Sequence, residues 1–216
     1  MKHTFLPSLS GFLGLPTKEA VKPEDARVIV IPFGLESSVC YGGGTAKGPQ
    51  AILDASPELE YFDEELWCEP HKTYRPATLR PASIRKPLPA ALTQLEEIVE
   101  SVLAAKKFPL ILGGEHALTA GAIRPFAQRH KNLTILHFDA HADLRDGYQG
   151  QKYSHAAAMR RCLDFPNVRV VSVGIRNLSK GEADYAAKNR KRITIFWAKD
   201  RAKWKISEIV RAVGRG

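Results

Sequence analysis

Short apolar runs alternate along this chain with stretches of helical periodicity. Residues 27–32, RVIVIP, form a β-branched run closed by Pro32 and Gly34, which predicts a buried strand. After the flexible turn 41–44, YGGG, Gly48 and Pro49 open a predicted helix through Ala55. Within 89–107, apolar residues at Leu92, Leu95, Ile98, Val99, Val102 and Leu103 make one helical stripe. Further strands are predicted at 109–112, 133–138, 168–173 and 193–197, with helices at 117–130, 180–188 and 203–213. The Pro-rich stretch 70–89 gives no clear pattern. Strands that are apolar throughout and separated by helices predict an α/β fold: a three-layer αβα arrangement around a mainly parallel sheet. No internal repeat or linker interrupts the pattern, so residues 1–216 read as a single domain with an N-terminal arm over 1–25.

Composition narrows the class. The chain has 216 residues, 44% hydrophobic and 25% charged, which are ordinary globular values. No run of 18 apolar residues suits a membrane span, and the Pro- and Gly-interrupted start does not read as a signal peptide. Three widely spaced cysteines, Cys40, Cys68 and Cys162, form no CxxC motif, which points to a reducing, cytoplasmic setting. The net charge of +9 is unevenly placed: residues 156–216 hold 15 basic and 5 acidic side chains. Its densest cluster, Lys188, Arg190, Lys191 and Arg192, reads as a solvated helix end rather than a nucleic-acid patch, because no recognition motif accompanies it.

Two predicted strand ends carry the candidate chemistry. The first runs LILGGEH, where two glycines allow a sharp turn and a close neighbour before Glu115 and His116. Polar groups there stand at the carboxyl end of a strand, where open α/β sheets place their sites. A solvent-facing or structural role for His116 is the competing reading. The second runs ILHFDAHAD, placing Asp139, His141 and Asp143 at spacing two. In extended backbone, alternate side chains share a side, so two carboxylates and an imidazole converge. Crowding them is costly without a cation. A helix-capping aspartate beside a surface histidine would not explain three polar groups at this spacing. Oxygen-rich ligands with imidazole suit Mn²⁺, with Zn²⁺ and Fe²⁺ still open.

At these residues the chain resembles the ureohydrolase family of binuclear manganese enzymes, the arginases and agmatinases. Gly113-Gly-Glu-His116 and Asp139-Ala-His-Ala-Asp143 match two of its motifs. Residues 41–52 resemble its glycine loop and Gly-Pro helix start, Tyr153-Ser-His155 its active-site histidine segment, and Val173-Gly-Ile-Arg176 a further strand end. These fall in the family's order over about residues 25–213, and the Tyr-Ser-His form is most similar to agmatinases. The resemblance implies that Asp139 bridges two Mn²⁺ ions. His116 and Asp143 would complete one site, and His141 would bind the other ion. His155 would shuttle a proton beside a small guanidinium substrate such as agmatine. It further implies a metal-activated hydroxide that releases urea and putrescine, and homo-oligomeric assembly.

One departure stands out. The family also uses a Ser-x-Asp-x-Asp-type motif at a later strand end, plus a guanidinium-holding glutamate. After Asp143 the acidic residues are Asp146, Asp164, Glu182, Asp184, Asp200 and Glu208, none in such a motif. The resemblance therefore implies a fold lacking its last strands, an exposed sheet edge and an incomplete second ion site. The alternatives are a catalytically inactive family remnant that binds at most one metal, and a guanidinobutyrase or other amidinohydrolase.

Overall fold

The computed structural model describes residues 3–214. They form two compact units, divided between Glu115 and His116. Each unit carries its own three-stranded parallel sheet.

The first unit contains β1 (Val28–Phe33), α1 (Gly48–Ala55), α2 (His71–Tyr74), β2 (Pro76–Thr78), α3 (Leu88–Ala104) and β3 (Phe108–Gly113), with strand order β2-β1-β3. Ile29, Val30, Ile31 and Phe33 of β1 are buried, as a central parallel strand requires. α3 begins at its Pro87–Pro89 segment and packs on β3. It buries Leu88, Leu92, Leu95, Ile98, Val99 and Val102, while Leu103, counted in the stripe, is only half-buried. The unassigned stretch 70–89 holds α2 and β2. β2 has only three residues and starts on a proline at the sheet edge, where a missing N–H costs no ladder bond, so it leaves little periodic trace. Of the N-terminal arm, Leu13 and Leu15 are buried in this unit, and the Leu13 N–H donates to Ser56 Oγ at 2.8 Å.

The second unit contains α4 (Thr119–Ala122), α5 (Arg124–Arg129), β4 (Leu133–Phe138), α6 (Ala158–Cys162), β5 (Val168–Ile175), α7 (Lys180–Lys188), β6 (Ile193–Trp197) and α8 (Ile206–Val213), ordered β4-β5-β6. The single helix expected over 117–130 is instead a 3-10 turn followed by α4 and α5. Pro125 explains the break, since it has no N–H for the carbonyl one turn earlier. The last helix starts at Ile206 rather than Lys203, because residues Ala198–Lys203 wind as a 3-10 turn. α7 is set by a full capping box between Ser179 and Glu182. The core gathers Leu144, Met159, Cys162, Val168, Val170 and Ile175. Burial pushes the Cys162 thiol up to about 12, so it packs as a small apolar group. Arg192 of the basic cluster is structural: its guanidinium donates to the carbonyls of Leu163, Phe165 and Val168.

β4 departs from the expectation of a strand buried on both faces. Among the described residues it pairs only with β5, Leu136 is exposed and Phe138 is 71% exposed. On α8, Ile206 and Val210 are exposed as well. These side chains give the second unit an apolar edge.

Met159 is almost fully buried in the second core. We expect Met159→Ala to cost about 2–5 kcal/mol in urea denaturation, whereas Lys180→Ala on the surface should stay within about 0.5 kcal/mol. A near-neutral Met159→Ala would contradict this packing.

Candidate metal centre

The candidate ligands lie in the second unit, around the end of β4. The strand stops at Phe138, so Asp139 to Asp143 run as an irregular loop rather than an extended continuation. The alternation that would line up Asp139, His141 and Asp143 therefore ends at Asp139. Asp143 reaches the site instead through a left-handed residue, φ 52°, a conformation that aspartate tolerates better than most residues.

Several bonds hold that loop. The Ala140 carbonyl accepts the N–H groups of Arg176 at 2.9 Å and Asn177 at 3.0 Å, and the Asp139 N–H donates to Val173 O at 3.2 Å. Gly174 makes this approach possible: its φ is 94°, and a Cβ there would stand 3.2 Å from the Asp139 carbonyl oxygen. The buried Glu182 secures the far end. One of its oxygens accepts the Leu144 N–H at 3.0 Å, and the other accepts the Ser179 N–H and hydroxyl, both at 2.7 Å. Arg145 Nε stands 3.6 Å from that second oxygen.

Four side chains meet here. His116, His137, Asp139 and Asp143 each bring one donor atom, and these atoms all lie within 4.8 Å of one another. His116 Nδ1 is 2.6 Å from Asp143 Oδ2 and 3.4 Å from Asp139 Oδ2. His137 Nε2 is 3.3 Å from the same Asp139 oxygen. The other oxygen, Oδ1, accepts the His141 N–H at 2.8 Å, with His141 Nδ1 3.4 Å away. Two imidazoles and two carboxylates with a buried, poorly partnered Nε2 on His137 form a donor set that fits a divalent cation.

The electrostatics follow from this crowding. Burial alone would push the His116 imidazole down, but the hydrogen bond and charge of Asp143, with the charge of Asp139 behind it, hold it above its ordinary value. Burial, followed by the charge of His116, holds His137 below its ordinary value. Burial pushes Asp139 up, but the His141 N–H and the two imidazoles outweigh it and keep this carboxyl below the usual range.

Of the sequence candidates, His116, Asp139 and Asp143 come together. The ring of His141 stands outside the four-donor group, on the Oδ1 side of Asp139, with its side chain 62% exposed. His155 is also outside that group. It sits in a 3-10 turn capped by Ser154, edge-on to the Tyr148 ring at 6.2 Å, and this turn packs against the turn that carries His116. His137 was not among the candidates. Its signal was available: a polar residue in an apolar strand, in phase with Asp139. In the first unit, the Gly-Gly turn has a different use. A Cβ on Gly114 would meet Leu35 O at 2.1 Å, and the buried Glu115 accepts the Ser38 N–H at 2.7 Å, so these residues anchor a loop.

The comparisons with known proteins agree with this fold. The Arginase family profile matches residues 25–215, and the chain belongs to the arginase family. It is 34% identical to an N(1)-aminopropylagmatine ureohydrolase from Synechocystis sp., over 82% of this chain and 59% of that protein. It is also 34% identical to an agmatinase from Bacillus cereus, over 76% of this chain and 57% of that protein. The crystal structure of the agmatine ureohydrolase of Thermoplasma volcanium superposes with a TM-score of 0.81 at 26% identity, covering 97% of this chain and 69% of that one. The chain thus spans a little under three fifths of the length of these two curated relatives. Among the described residues, no helix is long and apolar enough to cross a membrane.

In the metal-free protein, we expect His116 to titrate above the ordinary histidine value by NMR. Asp143→Asn removes the raising charge, weakens the hydrogen bond to a neutral one and leaves the burial, so it should bring the midpoint down. An unchanged midpoint in Asp143→Asn would contradict the pairing.

Proposed function

We propose that this chain carries the metal centre of an agmatinase-type ureohydrolase, which hydrolyses a small guanidinium substrate such as agmatine to putrescine and urea. One observation carries the reading: the Asp139 carboxylate presents Oδ2 to His116 and His137, and Oδ1 to His141. A carboxylate with imidazoles on both oxygens suits a bridge between two ions. In this reading His116, Asp139 and Asp143 would hold one Mn²⁺, and Asp139 with His141 would hold the other. Bound cations supply Lewis acidity that makes a water nucleophilic near neutral pH.

The chain's own side chains supply the rest. Asp139 and Asp143 bring negative charge to a site that must also accept a cationic substrate. His155, on its capped turn beside the His116 segment, carries a proton to the departing amine as the C–N bond breaks. The water oxygen ends in urea, and that proton ends on the amine. Aminopropylagmatine, and the acidic guanidines taken by guanidinobutyrases, are the nearest rival substrates. The exposed apolar edge on β4 and α8 supports assembly into a homo-oligomer, and the absence of a recognition motif supports a small molecule rather than nucleic acid as partner. A second reading, a chain that holds one ion without turnover, is favoured by the single four-donor cluster among the described residues.

Two measurements test the proposal. Asp139→Ala should lower bound Mn²⁺, read by mass spectrometry, about tenfold or more and below the level left by His141→Ala. Equal metal content in both variants would count against the bridge. His155→Ala should keep its metal and lose urea release from agmatine. Lost metal in that variant would make His155 a ligand or prop. A wild-type chain that binds a single Mn²⁺ and releases no urea would favour the second reading.

A further inference from the structure

The first unit has a cavity of about 230 Å³, small against the roughly 300–1,000 Å³ of drug-sized pockets. Phe12, Tyr61, Phe62 and Tyr74 give it aromatic walls. Glu60 and Asp63 are its carboxylates, and among the described residues no lysine or arginine lines it. Both carboxylates belong to the stretch 54–69, which holds seven acidic residues and no basic one. His71 also lines the cavity. It is only 2% exposed, yet neither ring nitrogen has a hydrogen-bond partner in the protein. Glu19 Oε2 stands 3.8 Å from Nε2, beyond hydrogen-bond reach. A buried polar group left in this way calls for a partner from outside the chain. The surroundings are already built. The Tyr61 ring packs on His71 with centroids 4.7 Å apart, and the Tyr61 hydroxyl donates to Leu13 O at 3.1 Å. Asp63 Oδ1 accepts the Leu66 N–H at 2.7 Å.

We propose that this cavity binds a short alkylammonium ion, with the ammonium taken by His71 and the Glu60 and Asp63 carboxylates and the alkyl chain laid on the aromatic walls. An ammonium group donates three hydrogen bonds and accepts none. A neutral imidazole offers one bare acceptor nitrogen, and carboxylates only accept, so the polar lining matches that demand. Aromatic faces attract a cation as well as an alkyl chain. The alternatives fit less well. An anion would meet two carboxylates without a basic side chain to offset them, and a hydrocarbon would leave the imidazole unmet. The small volume limits the ligand to a short chain. None of these residues belongs to the metal centre, so the proposal stands apart from that reading.

Aromatic ¹H–¹³C NMR of the metal-free full chain tests the site. The probe is n-butylammonium, titrated beside n-butanol and butyrate. We expect the ammonium to shift Tyr61, Phe62, His71 and Tyr74 along one saturating curve. Butanol can reach the imidazole but draws no charge attraction, so it should bind about tenfold or more weakly, and butyrate should leave these signals in place. Equal affinity for butanol and the ammonium would make the cavity an apolar slot and overturn the proposal. Unmoved signals at these four residues would overturn it too. His71→Phe keeps an aromatic ring and removes both nitrogens. It should melt no lower than wild type and bind butylammonium about tenfold more weakly; unchanged affinity would contradict the role given to His71. Glu60→Gln combined with Asp63→Asn preserves side-chain shape and the acceptor for the Leu66 N–H. That double variant should weaken butylammonium by a similar factor and leave butanol unchanged. No loss, or equal losses for both probes, would sink the cation assignment, and this variant decides the question if His71→Phe fails to fold.

Discussion

The second unit is organised around one electrostatic constraint: two carboxylates and two imidazoles are held within 4.8 Å of one another at the end of a parallel strand. Such a group is stable only if its charges and hydrogen-bonding capacity are matched. Part of the matching is internal, through the short His116–Asp143 contact and the His141 N–H on Asp139. The surrounding backbone is shaped to permit it. Gly174 lets the Asp139 carbonyl approach β5, Asp143 accepts a left-handed conformation, and Glu182 ties the loop to the start of α7. Each device acts on the segment from Asp139 to Leu144, Gly174 and Glu182 reaching it from β5 and α7.

Burial explains why the devices hold. Met159, Val168, Val170 and Ile175 form a dry floor beneath the loop, and burying such side chains contributes about 1.5–3 kcal/mol apiece. The opposite side of the unit is unlike that floor. Phe138 on β4 and Ile206 on α8 are 71% and 80% exposed, so the apolar pattern of this unit continues past its own packing. The same strand therefore serves two purposes: His137 faces the buried side, and Leu136 and Phe138 face outward.

Much of this was legible in the sequence because the relevant signals are local. The boundaries of β4, β6, α1 and α7 match those expected from the apolar runs, the Gly-Pro start and the helical stretch 180–188. His116, Asp139 and Asp143 also come together as the family resemblance implied, although Asp143 arrives by a turn rather than by strand alternation and the His141 ring stays outside the group. What escaped was set by tertiary contact. The helix over 117–130 breaks at Pro125, and β2 is too short to show periodicity. His137, one polar residue inside a predicted strand, was not a candidate; its ring lies between Ser172 and Asp139. Whether a strand meets a neighbour on both edges cannot be read from hydrophobicity, so an exposed sheet edge was expected from the family resemblance and not from the pattern of β4.

The central claim is that this loop holds metal through Asp139. A crystal of the protein grown with Mn²⁺, with anomalous differences recorded at the manganese absorption edge, addresses it directly. The account predicts a peak within coordinating distance of Asp139 and Asp143 carboxylate oxygens and of a His116 ring nitrogen. A fully ordered cluster with no anomalous peak, or with manganese only at sites remote from Asp139, would contradict it.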